Sequence, residues 1–119
     1  MPVRSLRSSV LRWPDATSVR AALERWAEEV SAHRPAVRRV GLFGSYARGD
    51  WGVGSDLDVI VVVDRSEVPF ERRGIEWDTS ALPVPTDLLV YTTEEWGRLS
   101  ASGRFSDTTA REIVWIVDR

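Results

Sequence analysis

The chain has 119 residues, enough for one domain with one hydrophobic core and too few for a second core. With 43% hydrophobic and 29% charged residues, its composition is that of an ordinary globular protein. A formal net charge of -2 argues against direct nucleic-acid binding, and the lack of cysteine excludes disulfides and zinc–thiolate sites. Neither a transmembrane run nor a signal peptide is recognisable, so we expect a cytoplasmic protein that does not enter a membrane.

The N-terminal part predicts an arm followed by a long helix. Residues 1–14 are basic and weakly patterned, so we expect them to form an arm, and residues 15–119 to form a single domain. Capping residues from Asp15 to Ser18 precede apolar residues at helical spacing, and Pro35 follows, which predicts an amphipathic helix of about five turns. The apolar positions are Val19, Leu23, Trp26, Ala27 and Val30.

The rest of the chain alternates between predicted strands and short helices. The predicted strands are Val37–Gly44, Leu57–Val63, Thr86–Tyr91 and Ile113–Val117. The predicted helical segments are Ser45–Arg48, Val68–Arg73, a capped helix from Thr92 or Thr93 to Leu99, and Ser106–Arg111. This order indicates a single α/β domain with a three- or four-stranded sheet.

Two aspartates open the most hydrophobic predicted strand, where Asp56 and Asp58 flank Leu57. Side chains alternate along a strand, so both carboxylates are expected on one face. Two unpaired carboxylates buried side by side would be costly, and a divalent cation removes that cost because Mg²⁺ prefers carboxylate oxygens. Asp87, at the start of the third predicted strand, is placed to join the same metal cluster.

A Gly-Ser pair ends the first predicted strand, ten residues before Asp56. Because the connection is short, we expect the end of the first strand to lie beside the start of the second. Gly44 would let a phosphate approach the backbone, and the N–H groups and hydroxyl at Ser45 would bind its oxygens. Arg48 is a candidate to neutralise triphosphate charge, with a solvated arginine as the alternative. Together with the aspartates, this loop predicts a two-metal phosphoryl-transfer site.

The stretch LFGSYARGDWGVGSDLDVIVVV, followed by VPTDLLVYT, resembles the minimal nucleotidyltransferase (MNT) family of the DNA polymerase β-like superfamily. The resemblance covers roughly residues 37–117. The positions that match the family pattern are Gly44, Ser45, Asp56, Asp58 and Asp87. It implies a mixed sheet packed with helices, and Mg²⁺-dependent transfer of a nucleoside monophosphate from a triphosphate to a hydroxyl, with release of pyrophosphate. It also implies that Asp56 and Asp58 hold two Mg²⁺ ions, while Asp87 completes one metal site and helps to activate the hydroxyl.

The resemblance further implies a partner. Family members of this size are commonly encoded beside a HEPN-domain toxin, a ribonuclease, and act as antitoxins by attaching AMP from ATP to a tyrosine of that toxin. Two alternatives are a non-catalytic antitoxin that masks the HEPN protein and a small-molecule adenylyltransferase completed by a second subunit. Three clustered acids argue against a pure binder.

Four other features have simpler structural interpretations. Residues Gly52–Leu57 resemble the start of a Rossmann fingerprint, but the last glycine is missing and a strand follows. The single histidine, His33, is expected to cap a helix end or lie on the surface. The pairs Arg38-Arg39 and Arg72-Arg73 are interpreted as solvated, with partner binding as the alternative. Trp51 is predicted either to stack on a base or partner or to pack on its own protein.

Overall fold

The computed structural model of the protein describes residues 13–102 and 111–119. Its strands are β1 (Val37–Phe43), β2 (Leu57–Val63), β3 (Thr86–Thr92) and β4 (Val114–Asp118). Its helices are α1 (Ala16–His33), α2 (Ser45–Arg48), α3 (Phe70–Arg73) and α4 (Thr93–Ser102), with a 3-10 turn at Gly74–Glu76. Of the predictions above, residues 1–12 of the arm and most of the Ser106–Arg111 turn lie outside the described residues. None of the described helices has the length and apolar character needed to span a membrane.

Helix α1 forms where capping and periodicity predicted it. The Asp15 carboxylate accepts a hydrogen bond from the Ser18 N–H at 2.7 Å and caps the helix. The buried face repeats at three- and four-residue intervals and consists of Val19, Ala22, Leu23, Trp26, Ala27 and Ser31. Val30 is only half-buried. Trp26 donates from Nε1 to the Asp78 carbonyl at 2.8 Å, which joins the helix to the segment before β3.

The four strands form one mixed sheet in the order β3-β2-β1-β4. Strand β1 is antiparallel to both β2 and β4, whereas β2 and β3 are parallel. The parallel pair requires a crossover, and the chain from Asp64 to Pro85 with α3 and the 3-10 turn provides it. The predicted three- to four-stranded mixed sheet packed with helices is therefore confirmed.

The sheet has two unlike faces. On one face, Leu57, Val59 and Val61 join the main hydrophobic core beneath α1. On the other face lie the alternate residues of β2, among which Ile60 is also fully buried. Gly41 of β1 faces that second side, where a Cβ would lie 2.8 Å from the Trp115 ring, so glycine makes room for the indole.

The interpretation of Arg72-Arg73 as a solvated pair is wrong for Arg73, which is only 6% exposed. Its guanidinium pairs with the Glu95 carboxylate through contacts of 2.5 and 3.1 Å. It also donates to the carbonyls of Val68 and Val90 at 2.7 and 3.1 Å. Arg73 therefore ties α3 to β3 and to the start of α4, while Arg72 is exposed as expected.

In the other arginine pair, Arg38 is exposed and Arg39 is half-buried, and both are ion-paired. Arg38 contacts Asp64 through Nε at 2.6 Å, and Arg39 contacts Asp118 at 3.1 Å. The Arg39 guanidinium also lies 4.7 Å from the centre of the Trp115 ring. Both side chains thus have partners within their own chain.

Candidate functional site

The end of β1 and the start of β2 lie side by side, as the short connection predicted. Phe43 is the direct antiparallel partner of Asp58. Gly44 follows with φ 74°, a conformation that favours glycine. A Cβ on Gly44 would overlap the Asp58 carboxylate and lie 3.0 Å from its Cγ. Glycine is therefore required twice at this position, by its backbone angle and by the neighbouring carboxylate.

The structure brings the three predicted aspartates to one end of the sheet. Asp58 and Asp87 are direct partners in the parallel β2–β3 pair, so they share a face. Asp56 lies two residues before Asp58 and, like Asp87, is exposed. Burial raises the pKa of the Asp58 carboxyl, and the charges of Asp87 and Asp56 raise it further, while Arg48 opposes them. The three carboxylates thus act on one another electrostatically.

The three carboxylates could hold a magnesium ion whose remaining ligands come from a bound phosphate and from water. Within residues 13–102 and 111–119, no three acidic or histidine side chains are already gathered into a metal-ligand set. Mg²⁺ commonly uses one or two carboxylates and completes its octahedron with substrate phosphates and water. Asp58, with Asp56 or Asp87, offers such carboxylates, and the missing Cβ of Gly44 leaves room for the Asp58 carboxylate at this turn.

Helix α2 places backbone donors beside these carboxylates. The Gly44 carbonyl accepts hydrogen bonds from the N–H groups of Ala47 and Arg48, each at 3.0 Å. Ser45 and Tyr46 occupy the first helical positions, where an N–H group has no carbonyl four residues earlier in the helix. The Ser45 hydroxyl is half-buried at the same turn. The predicted Gly44-Ser45 phosphate cradle therefore has free backbone donors to offer.

Arg48 lies near the aspartates but is ion-paired within its own chain. Its Nε contacts Asp50 at 3.0 Å and its Nη1 contacts Glu112 at 3.4 Å. The Asp50 hydrogen bond is the main reason that the pKa of Arg48 is raised. Triphosphate binding by Arg48 would require exchange of these partners. Sequence reasoning missed Glu112 because it lies 64 residues from Arg48 and has no local signature.

Trp51 packs on its own protein, which decides one of the alternatives left open by the sequence. Its ring stacks on Tyr46 at a centroid distance of 5.6 Å and an interplanar angle of 9°. Tyr46 is buried, and its hydroxyl accepts a hydrogen bond from Trp13 Nε1 at 3.0 Å. These aromatic contacts anchor the loop that carries Gly44 and Ser45.

The structure also accounts for two sequence features to which no catalytic role was assigned, the single histidine and the incomplete glycine-rich fingerprint. His33 is the last residue of α1, and its Nδ1 lies 2.9 Å from the Glu29 carbonyl, as expected for a helix end. Residues 52–56 are loop that leads directly into β2 rather than into a helix. A dinucleotide-binding turn is therefore excluded there.

Comparison with known proteins identifies the family to which this chain belongs. Residues 23–115 match the Nucleotidyltransferase domain family. A crystal structure of a candidate nucleotidyltransferase from Sulfolobus solfataricus superimposes with a TM-score of 0.55 at 25% identity, covering 73% of this chain and 82% of that one. The fold is that of the polymerase β-like nucleotidyltransferases.

Curated relatives refine the class. The chain is 31% identical over 83 residues to "Protein adenylyltransferase MntA" of Thermococcus cleftensis, covering 67% of this chain and 75% of that protein. It is 40% identical over 52 residues to a candidate protein adenylyltransferase of Methanocaldococcus jannaschii, covering 44% and 52%. The chain therefore belongs to the nucleotidyltransferase domain family, and among its members it is similar to the minimal nucleotidyltransferases.

Proposed function

We propose that this protein transfers AMP from ATP to a tyrosine hydroxyl of a partner HEPN-domain toxin, and that it acts by this reaction as an antitoxin. The observation that carries the reaction is the contact between Gly44 and Asp58, with Asp87 in register beside Asp58. The similarity to proteins named protein adenylyltransferases supports AMP as the transferred group and a protein as the acceptor. The HEPN partner and the antitoxin role follow from the family resemblance.

Each residue has a distinct part in the proposed reaction. The Ser45 hydroxyl and the first N–H groups of α2 bind triphosphate oxygens, and Gly44 leaves room for them. Asp56, Asp58 and Asp87 would hold Mg²⁺, as two ions by the family resemblance, and the bound metal would neutralise phosphate charge. Asp87 also accepts the proton of the acceptor hydroxyl. The acceptor oxygen bonds to the α-phosphorus, and the bond from that phosphorus to the β-phosphate bridging oxygen breaks, releasing pyrophosphate.

The shape of the site supports a macromolecular acceptor. Asp56 and Asp87 are exposed at the end of the sheet, so an acceptor held by a second protein can reach them. A purely masking antitoxin would have no need for Asp58, whose carboxylate is held beside two like charges.

A labelling experiment tests the proposal and its alternatives. The chain is incubated with ATP labelled in the α-phosphate, Mg²⁺ and the HEPN-domain protein encoded beside it, with the Asp58→Asn variant as control. We expect label on a tyrosine of the HEPN protein with wild type and none with the variant. Label on a small molecule would favour the two-subunit adenylyltransferase. Neutralisation of the toxin by Asp58→Asn without any label would favour the masking antitoxin.

A further inference from the structure

A cavity lies at the end of the sheet away from the aspartates. It encloses about 320 Å³ where α1, β2 and β3 end. Asp58 and Val63, which lines this cavity, are five residues apart on β2, or about 17 Å along an extended strand. Its polar lining is mainly basic and includes Arg34, Arg65 and Arg73. This cavity, here called the distal cavity, is therefore separate from the candidate active site.

Two of its arginines lack a carboxylate partner. The Arg34 guanidinium lies 4.0 Å over the Trp77 ring and donates to the Glu76 carbonyl at 3.2 Å. Arg65 is exposed and interacts electrostatically with the neighbouring Asp64, whose carboxylate is paired with Arg38, but no acidic side chain in the described part of the chain lies within ion-pair distance of Arg65. Glu76 supplies the one carboxylate among the described lining residues. The distal cavity therefore carries a local excess of positive charge.

The other arginines at this end are already satisfied. Arg73 is neutralised by Glu95 and forms a wall of the cavity. Arg38 is held by Asp64 through two contacts of 2.6 and 3.2 Å. Arg119 donates to the carbonyls of Val37 and Ser31. Only Arg34 and Arg65 are thus available to an incoming anion among the described arginines around the cavity.

We propose that the distal cavity binds the phosphate group of a small phosphorylated ligand between Arg34 and Arg65. Guanidinium groups recognise phosphate through paired, charge-assisted hydrogen bonds. Stacking on Trp77 already orients the Arg34 plane, so little side-chain freedom is lost on binding. A volume of about 320 Å³ is within the range of small-ligand sites. This inference is independent of the proposed function, whose triphosphate binds at the opposite end.

Titration calorimetry at constant ionic strength tests the inference with two probes, inorganic phosphate and glycerol phosphate. The proteins are wild type, the double variant Arg34→Gln/Arg65→Gln, Arg98→Gln and Asp58→Asn. Arg98→Gln is a control for the loss of one exposed positive charge, because Arg98 is exposed on α4 and pairs with Glu94. We expect the double variant to bind the probes at least about tenfold more weakly, since it loses two charged donors. The two other variants should bind as wild type does.

Each other outcome is decisive. Absence of binding to wild type, or equal binding by the double variant, overturns the inference. An equal loss in Arg98→Gln shows a nonspecific charge effect, and a changed affinity in Asp58→Asn places the phosphate at the aspartates; both also overturn the inference. Tighter binding of glycerol phosphate identifies a phosphate ester as the ligand class, and tighter binding of inorganic phosphate identifies the free ion. Either result supports the cavity as a phosphate site.

Discussion

Gly44 is the residue at which backbone geometry and the candidate chemistry meet. Replacing Gly44 by alanine should destabilise the protein by two separable effects. Gly44 has φ 74° and ψ -153°, a backbone conformation that costs a non-glycine residue about 1–3 kcal/mol. The new Cβ also overlaps the Asp58 carboxylate, and overpacking of this kind costs about 1–3 kcal/mol. In urea unfolding, Gly44→Ala should therefore lose more free energy of unfolding than either effect alone would cause.

Gly49 offers a control for this prediction. It also has a positive φ, 87°, in the ordinary left-handed region with ψ 9°, and a Cβ there would meet no atom within 4 Å. Gly49→Ala should therefore show only the backbone cost. Adding Asp58→Ala to Gly44→Ala should reduce the loss of stability to the backbone cost of Gly44 alone, because the overlapping carboxylate is gone. Equal losses for the two glycine variants would contradict the close approach of Gly44 to Asp58.

Asp58 should reduce the stability of the metal-free protein at neutral pH. Its folded-state pKa is raised, so the folded state holds the proton more tightly than the unfolded state does. Stability is therefore lost as the pH rises from the ordinary aspartate pKa of 3.8 through the raised value. Asp58→Asn should raise the melting temperature at pH 7 without metal, and this gain should vanish near pH 3. A gain that persists unchanged at low pH would contradict charge as its cause.

The packing of α3, β3 and α4 against one another depends on the ion pair of Arg73 with Glu95. Glu95→Gln leaves the buried guanidinium without its counter-charge, which should cost about 3 kcal/mol in urea unfolding at pH 7. Arg73 lowers the pKa of Glu95 to about 2. A lowered folded-state pKa stabilises the protein above the unfolded value and loses that contribution as the pH falls. The difference between wild type and variant should therefore shrink between pH 5 and about pH 2.

Glu94→Gln is the control for the prediction on Glu95→Gln. Glu94 precedes Glu95 on α4 and makes an exposed ion pair with Arg98 at 3.1 Å. Such pairs contribute little, so its loss should stay below about 0.5 kcal/mol at any pH. Similar losses for the two variants would show that the Arg73–Glu95 pair is no more than a surface contact.

Local patterns predicted the elements, and long-range contacts account for what they missed. Strand β2 has the predicted bounds, because its β-branched run and the flanking turn residues act locally. The capping box at the start of α4 was also predictable from the sequence. In it, the side chains of Thr92 and Glu95 each accept a hydrogen bond from the backbone N–H of the other residue. The burial of Arg73 was not, because its partner lies 22 residues away. The same holds for Glu112, which comes to Arg48 only through β4.

The site was predictable in composition but not in geometry. The spacing of Gly44, Asp56 and Asp58 indicated that the strand ends meet, and the register of Phe43 with Asp58 agrees. The side on which Asp87 lies depended on whether β3 runs parallel to β2, which local patterns do not fix. The roles of these residues in metal binding and catalysis stay predictions.

The molecule as a whole separates its charges between the two ends of one sheet. The aspartates gather where β2 and β3 begin, and the unpaired Arg34 and Arg65 lie where these strands end. Like charges at the first end should weaken the metal-free protein, whereas a cation bound there would turn the same carboxylates into stabilising contacts. Stability should therefore depend on ligand at the aspartate end, and this dependence can be measured on the intact chain.

Mg·ATP should raise the melting temperature of wild type, because a ligand that binds only the folded state stabilises it by about 2.7 kcal/mol at about 100 times its Kd. Asp58→Asn should begin from a higher melting temperature without ligand, since the repulsion is relieved, and should gain little from Mg·ATP. The variant should thus have the higher melting temperature without ligand, and wild type should have the higher one once Mg·ATP is added. Arg34→Gln/Arg65→Gln is the control at the opposite end of the sheet, and its gain should match that of wild type. An unchanged gain in Asp58→Asn would show that the triphosphate and its metal bind elsewhere.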